Sequence, residues 1–471
     1  MIPAHMPDSS IFRAYDIRGV VGSTVTEETA YLIGRALGSK AREAGLDKFC
    51  VGRDGRLSGP ALAAAVARGL VDCGCEVIDV GAVPTPALYF ATHEYRSGSG
   101  IMVTGSHNPP EYNGFKIMLG GETLSGDAIQ RVRQRIEAGD FVSGRGGQHI
   151  VDVLPSYIAR IAGDIRLKRR LKVVLDAGNG IAGKVAPELF ERIGAEVVPL
   201  FCEVDGTFPN HHPDPGDPHN LEDLIRVVAE TGADLGLAFD GDGDRLGVVT
   251  PDGEVIYPDR LLMLFARDVL SRAPGGTVIY DVKCTGHLAP QIEAAGGKPL
   301  MWQTGHSLSK SKMKAEDAPL AGEMCGHFFF KERWYGFDDG LYAGARLLEI
   351  LAAQDRPAAE VFATLPKGVS TPELKVMMTE GEHYAFIDRF KASATFDDAR
   401  VSTIDGVRAD WPDAWGLVRC SNTTPCLVLR FDADDESALA RVQSVFRERL
   451  LAIDPTLKLP FCPPPGAPPR G

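Results

Sequence analysis

The chain has 471 residues, 44% of them apolar and 24% charged, with a formal net charge of −13. That length is too great for one hydrophobic core and implies three or four domains. The acidic balance argues against nucleic acid as a partner, because a phosphate backbone calls for a basic face, whereas a small phosphorylated ligand needs only a local basic pocket.

No window approaches 18 uninterrupted apolar residues, so neither a membrane span nor a membrane partner is expected. Residues 1–10 lack the basic-then-apolar order of a secretory signal. Nine cysteines are scattered without CxxC spacing, with Cys73 and Cys75 the only close pair. This pattern predicts reduced thiols in the cytoplasm and gives a structural zinc site no support.

In chain order, the apolar strand Phe49-Cys50-Val51 is followed by the polar turn Gly52–Arg56, a helix over Pro60–Cys73 and a strand over Glu76–Val80. An apolar strand, Gly100–Val103, then opens into Thr104-Gly105-Ser106-His107-Asn108-Pro109-Pro110, with Lys116 ten residues past the serine. The strand-turn-helix-strand pattern returns at Leu171–Leu175, with a helix over Val185–Ile193 and the strand Glu196–Val198. After it, Leu235–Phe239 leads into Asp240-Gly241-Asp242-Gly243-Asp244-Arg245. A third copy starts at Thr277–Tyr280, with a helix over His287–Ala294 and the strand Lys298–Leu300, and Pro319-Leu320-Ala321 leads into Gly322-Glu323-Met324-Cys325-Gly326-His327. Each copy is a βαβ unit, in which a right-handed crossover makes the two strands parallel. Three copies predict three related α/β domains.

From about Gly368 the pattern changes to α+β: a strand at Leu374–Met378, a helix over Tyr384–Phe390, alternating strands that include Cys426–Phe431, and a last helix starting near Asp434. Pro463–Pro469 reads as a loose tail. The expected domains are 1–150, 151–256, 257–368 and 369–471.

Two loops carry most of the chemistry. Ser106 lacks the flanking glycines of a nucleophile elbow, since Thr104 and Asn108 hold those places, which disfavours ester hydrolysis. A stiff, short hydroxyl among polar groups suits a phosphate carrier, whose phosphorylated form adds roughly two negative charges and three acceptor oxygens. Asp240, Asp242 and Asp244 repel one another unless a cation gathers them. An EF-hand is excluded, because its glycine and glutamate positions fall on Arg245 and Pro251. Oxygen donors without thiolate or imidazole favour Mg2+ acting as a Lewis acid on a phosphoryl group.

Both loops resemble those of the alpha-D-phosphohexomutases, nearest to the bacterial enzymes that act on mannose and glucose phosphates. The resemblance runs from about Ile11 to about Phe461, with four motifs in the family's order. It implies four domains around a central cleft: three tandem mixed-sheet α/β domains and a C-terminal α+β domain. Ser106 would carry the transferable phosphoryl group and join Asp240, Asp242 and Asp244 on Mg2+. His107, Lys116, Arg245 and His306 fall on the family's catalytic positions.

Tyr15, Arg18, Lys283, His306, Glu323, Cys325 and His327 fall on its substrate-binding positions. Arg419, Ser421, Asn422 and Thr423, in Arg419–Pro425, match its phosphate clamp. The family commonly has serine where this chain has Cys325, and Lys283–His287 is less basic than in some close relatives.

The implied reaction is reversible phosphoryl transfer between C1 and C6 of mannose and glucose phosphates. It passes through the phosphoserine enzyme and a hexose 1,6-bisphosphate, with glucose 1,6-bisphosphate as activator. Hexose monophosphates are the expected partners, a monomer the expected state, and alginate or lipopolysaccharide precursors the expected product use. Two alternatives stand beside it: a mutase for glucosamine or N-acetylglucosamine phosphate, and a non-catalytic phosphosugar-binding protein.

Overall fold

The computed structural model describes residues 6–379, 381–421 and 425–461. Asn422, Thr423 and the proline-rich segment 463–469 lie outside the described residues. Among the described residues, no helix is long and apolar enough to cross a membrane.

Three mixed sheets share one four-strand core. In the first, Glu76–Ala82, Lys48–Arg53 and Gly100–Val103 run parallel and Tyr112–Leu119 returns antiparallel. The second repeats this with Glu196–Leu200, Lys172–Asp176 and Leu235–Phe239 parallel and Leu246–Val249 antiparallel. Lys298–Trp302, Thr277–Asp281, Leu320–Gly322 and the antiparallel Phe328–Phe330 form the third. The first two strands of each core are the βαβ units read from the sequence. Their helices run over Gly59–Val71, Ala186–Arg192 and Leu288–Ala294, within two residues of the expected bounds. Central strands such as Leu235–Phe239 are buried on both faces, which is why they read as continuous apolar runs instead of alternating ones.

The hairpin joining the third and fourth strands holds Ser106 in the first sheet, Asp240–Arg245 in the second and Glu323–His327 in the third. One topological position is therefore used three times. Edge strands Ile17–Val20 and Gly147–Ile150 extend the first sheet, and Val255–Ile256 extends the second.

The fourth sheet is antiparallel, built around the long strands Ala414–Cys420 and Cys426–Ala433 and covered by helices Glu382–Ser393 and Glu436–Ile453. The last helix starts two residues after Asp434, and Asp435 caps it by accepting from the Ala438 amide.

A single hydrophobic cluster crosses the first three sheets, from Leu88 and Phe90 through Phe190 and Phe239 to Phe265 and Phe328. Phe90 lies 6.3 Å from Trp334, and Trp334 stacks on Tyr342 at 4.3 Å, so rings from distant segments share one stack. The fourth sheet has its own cluster around Phe386, Phe390, Phe431 and Phe446. Its links to the third sheet are polar and apolar: Arg408 donates to the carbonyls of Val282 and Cys284 at 2.7 Å each, Thr285 donates to Asp432 at 2.9 Å, and Val282 packs with Trp415 and Leu417.

Asp339 shows what the shared core demands of a polar group. It caps helix Gly340–Ala352 by accepting from the Tyr342 amide at 2.8 Å, and it takes the Tyr157 hydroxyl at 2.8 Å. Burial outweighs these bonds and raises its carboxyl to about 7. A folded value above the unfolded one means that stability falls as pH rises from about 4 to about 7. Asp339→Asn keeps a capping acceptor, so thermal melts across that window are expected to show a flatter pH dependence in the variant.

Candidate active site

Ser106 is buried and sits at φ 50°, a region that non-glycine residues occupy only when their surroundings enforce it. The enforcement is visible. Its amide donates to Thr104 Oγ1 at 2.8 Å, and the Thr104 hydroxyl donates to Asp54 Oδ2 at 2.7 Å. Its hydroxyl donates to Asp240 Oδ2 at 3.1 Å and lies 3.3 Å from His107 Nδ1. Burial first, then Arg245, Arg18 and Lys116, hold His107 well below the ordinary imidazole range, so it is neutral.

Asp240, Asp242 and Asp244 are fully buried, with one oxygen from each within 4.8 Å of the other two. The loop turns because Gly243 takes φ 77° and because Gly241 lets the Ser106 carbonyl come against the backbone. Asp240 Oδ1 accepts the amides of Gly243, Asp244 and Arg245 at 3.1–3.2 Å, a nest that fixes that carboxylate. Lys116, on the strand returning from the serine loop, binds Asp242 Oδ2 at 2.7 Å and also pairs with Asp244. Thr85 donates to Asp242 at 2.5 Å.

Lys116 does not neutralise the whole group. Burial, then Asp244 and Asp242, push the Asp240 carboxyl well above the usual range. Burial also opposes ionisation of Asp244, but Lys116 and His327 overcome it and hold it well below. Among the described residues, Asp242 Oδ1 is buried without a hydrogen-bond partner, and Asp244 Oδ1 has only His327 Nε2 beside it, at 3.3 Å. An orphaned carboxylate oxygen within an all-oxygen set fits a hard divalent cation of the Mg2+ kind.

The third loop brings Glu323, Cys325 and His327 together. Glu323 accepts from Ser309 Oγ at 2.6 Å and from the Gly305 amide at 3.2 Å, and its other oxygen lies 3.2 Å from His327 Nδ1. Although burial opposes ionisation, these partners lower Glu323 to about 2. Cys325 Sγ lies 3.1 Å from His327 Nδ1 and 3.4 Å from Glu323, so the thiol faces polar groups. His327 also lies 3.3 Å from Asp244 and 3.4 Å from Arg245 Nε, which joins this loop to the carboxylate loop. Burial lowers and Lys310 further lowers His306, whose ring centroid is 5.7 Å from that of His327.

At the far end, Arg419 is buried and its Nε donates to Asp405 Oδ2 at 3.0 Å. Asp405 also accepts from the Thr304 amide, and the Thr304 carbonyl accepts the Tyr15 hydroxyl at 2.7 Å. Lys283 pairs with Glu373 at 2.6 Å and holds that carboxyl down to about 2. Arg18 donates to Asn108 Oδ1 at 2.5 Å and pairs with Asp16. Ser421 is buried at the end of strand Ala414–Cys420.

Several residues of this constellation carried no sequence signal. Asp338 lies with Asp244 and His327 in one cluster and accepts from Lys310 at 2.7 Å. Its neighbour His306 is 3.3 Å away. Glu373 and Asp405 meet their cations only through folding. Arg56 and Asp54 stood in a turn noted only as polar. Two charged residues just past an apolar strand were the available hint.

Family models described as phosphoglucomutase/phosphomannomutase α/β/α domains I, II and III match residues 9–143, 155–253 and 257–368, and the model of the C-terminal domain matches 373–449. A phosphomannomutase/phosphoglucomutase of Pseudomonas aeruginosa is 58% identical over 453 residues, covering 96% of this chain and 98% of that protein. A phosphoglucomutase of Neisseria meningitidis is 56% identical, covering 93% and 96%. A crystal structure of a phosphoglucomutase/phosphomannomutase family protein from Burkholderia thailandensis superposes with TM-score 0.92 at 55% identity, covering 97% of this chain and 100% of that one.

The contact between Gly241 and the Ser106 carbonyl makes a direct prediction. A methyl at 241 overlaps that oxygen. Gly241→Ala is expected to cost about 1–3 kcal/mol of stability, as overpacking does, and to lower activity by displacing the serine. Denaturant melts and turnover of the same preparation check both.

Proposed function

The chain belongs to the phosphoglucomutase/phosphomannomutase family of alpha-D-phosphohexomutases, and on that footing we propose that it moves a phosphoryl group between C1 and C6 of mannose and glucose phosphates. The observation that carries this reading is the 3.1 Å contact of Ser106 with Asp240, which joins a strained serine on one sheet to an underneutralised carboxylate loop on another.

Phosphorylated Ser106 gives its phosphoryl group to the free hydroxyl of a bound hexose monophosphate. The Ser106 Oγ–P bond breaks as the sugar O–P bond forms, and His306, kept neutral by burial, takes the sugar proton. His107 Nδ1 lies close enough to exchange the proton of Ser106 Oγ. The hexose 1,6-bisphosphate turns end for end, and Ser106 takes back the other phosphate.

Asp240, Asp242, Asp244 and phosphorylated Ser106 would hold Mg2+, which would supply Lewis-acid stabilisation of the phosphoryl oxygens. Lys116 and Arg245 supply the fixed positive charge around it. Glu323 and His327 face the sugar hydroxyls, with Cys325 between them. Arg419, Ser421, Asn422 and Thr423 hold the phosphate that is not transferred, beside Tyr15, Arg18 and Lys283.

Glucose 1,6-bisphosphate acts as activator, and the enzyme works as a cytoplasmic monomer that supplies sugar phosphates for surface polysaccharides such as alginate or lipopolysaccharide. Domain boundaries are assigned near residues 150, 256 and 368. The 58% identity to a phosphomannomutase/phosphoglucomutase favours mannose and glucose over amino sugars, because the likeness to N-acetylglucosamine-phosphate mutases rests on 12% identity and concerns the fold alone.

A coupled assay of both hexose 1-phosphates with a trace of glucose 1,6-bisphosphate tests this reading. Ser106→Ala is expected to remove most turnover and leave the melting temperature near that of the parent, with phosphopeptide mapping of the parent finding the label on Ser106. A fully active alanine variant, or label elsewhere, overturns it.

Arg419→Ala is expected to weaken binding of glucose and mannose phosphates alike, by about 1.5–3 kcal/mol for loss of a charge-assisted hydrogen bond. Titration calorimetry with each sugar phosphate measures it. A loss confined to one sugar would assign Arg419 to stereochemical recognition instead.

A further inference from the structure

We infer that Arg56 is a positioning residue for the phosphoryl-transfer step, holding the Ser106 carbonyl against the carboxylate loop. The inference rests on Ser106 as phosphoryl carrier and adds the device that aims it.

Arginine has five N–H donors in a fixed fork, and here all five are used. Nη2 donates to the carbonyls of Ser106 at 2.9 Å and Asn108 at 2.5 Å. Nη1 donates to the carbonyls of Pro109 at 2.6 Å and Tyr112 at 3.0 Å. Nε donates to Asp54 Oδ2 at 3.2 Å. The side chain is fully buried, so no water competes for these bonds. One guanidinium thus gathers four carbonyls between Ser106 and Tyr112, of which the Pro109 oxygen also accepts the Tyr112 amide at 3.0 Å. Gly105 is required for this, since a methyl there would overlap the guanidinium.

Two further contacts make the arrangement more than local support. The Ser106 carbonyl that Arg56 binds is the same oxygen that lies against Gly241, between Asp240 and Asp242. Arg56 therefore sets the spacing between the serine and the carboxylates. The second sheet's own segment closes over the guanidinium from the other side, with Phe208 stacked on it at 5.1 Å and Gly206 packed against the Gly55 carbonyl. The serine loop and the metal-type loop are in this way referred to one buried cation.

Lysine keeps the charge but offers three donors without the planar fork, so Arg56→Lys cannot hold four carbonyls and Asp54 together. The test is rapid-quench transfer from phosphorylated Ser106 to a hexose monophosphate in a single turnover, with the rate expressed per phosphoserine present. A small misplacement of reacting atoms reduces the rate by about 100-fold, and that loss is expected in Arg56→Lys, with KM for the hexose phosphate little changed.

A merely structural role lowers the melting temperature or the yield and leaves the rate per phosphoserine unaltered. That result overturns the inference. If Arg56→Lys does not fold, Asp54→Asn decides, because a guanidinium that loses its carboxylate partner is no longer fixed in its plane and carries the carbonyls it binds out of register. A fall in its rate per phosphoserine supports the inference, and an unchanged rate overturns it. A label that maps away from Ser106 removes the functional reading itself, whereas a correctly labelled Ser106 with a normal rate in the Arg56 variant removes only this inference.

Discussion

Lys116 lies buried between Asp242 and Asp244, while Asp240 receives the Ser106 hydroxyl. Lysine and serine come from the first sheet and the carboxylates from the second, so these contacts fix where two sheets meet. Burying charges is expensive unless each finds a partner. One ammonium against three carboxylates leaves a deficit, seen in the raised Asp240 carboxyl and in the unpartnered Asp242 Oδ1. Arg245 and His327 reduce it from the edge. The remaining negative charge suits a divalent cation, and the serine stands beside it.

The repeated four-strand core explains how three loops arrive at one place. In each sheet the third strand is buried and parallel, and the return strand reverses direction beside it. The connecting hairpin must therefore leave the carboxyl end of the sheet, where ligand sites in open α/β sheets collect. A continuous apolar cluster then locks the first three sheets together. The fourth, with its own core, brings Glu373 to Lys283 and pairs Arg419 with Asp405.

Much of this was legible in the sequence, and the reasons are physical. The βαβ units announce themselves because buried parallel strands are continuous apolar runs. Ser106 and the three aspartates stand out because alternating glycines and crowded carboxylates have no cheap structural use. Arg56, Lys310 and Asp338 were not legible, because an arginine in a turn or an aspartate before a helix is ordinary until folding supplies its partners. Cys325 occupies an intermediate place: its departure from serine was visible, but its contacts with His327 and Glu323 required the structure.

The central claim is that Ser106 and the carboxylate loop form one site, shared by the phosphoryl group and a divalent cation. Calorimetric titration of Mg2+ into the fully phosphorylated protein and into its fully dephosphorylated form addresses that claim directly. Tighter binding to the phosphorylated form is the expected result, because on this account a phosphoserine oxygen would complete the coordination offered by Asp240, Asp242 and Asp244. Equal affinity for the two forms would contradict the account, since it would place the cation out of reach of Ser106.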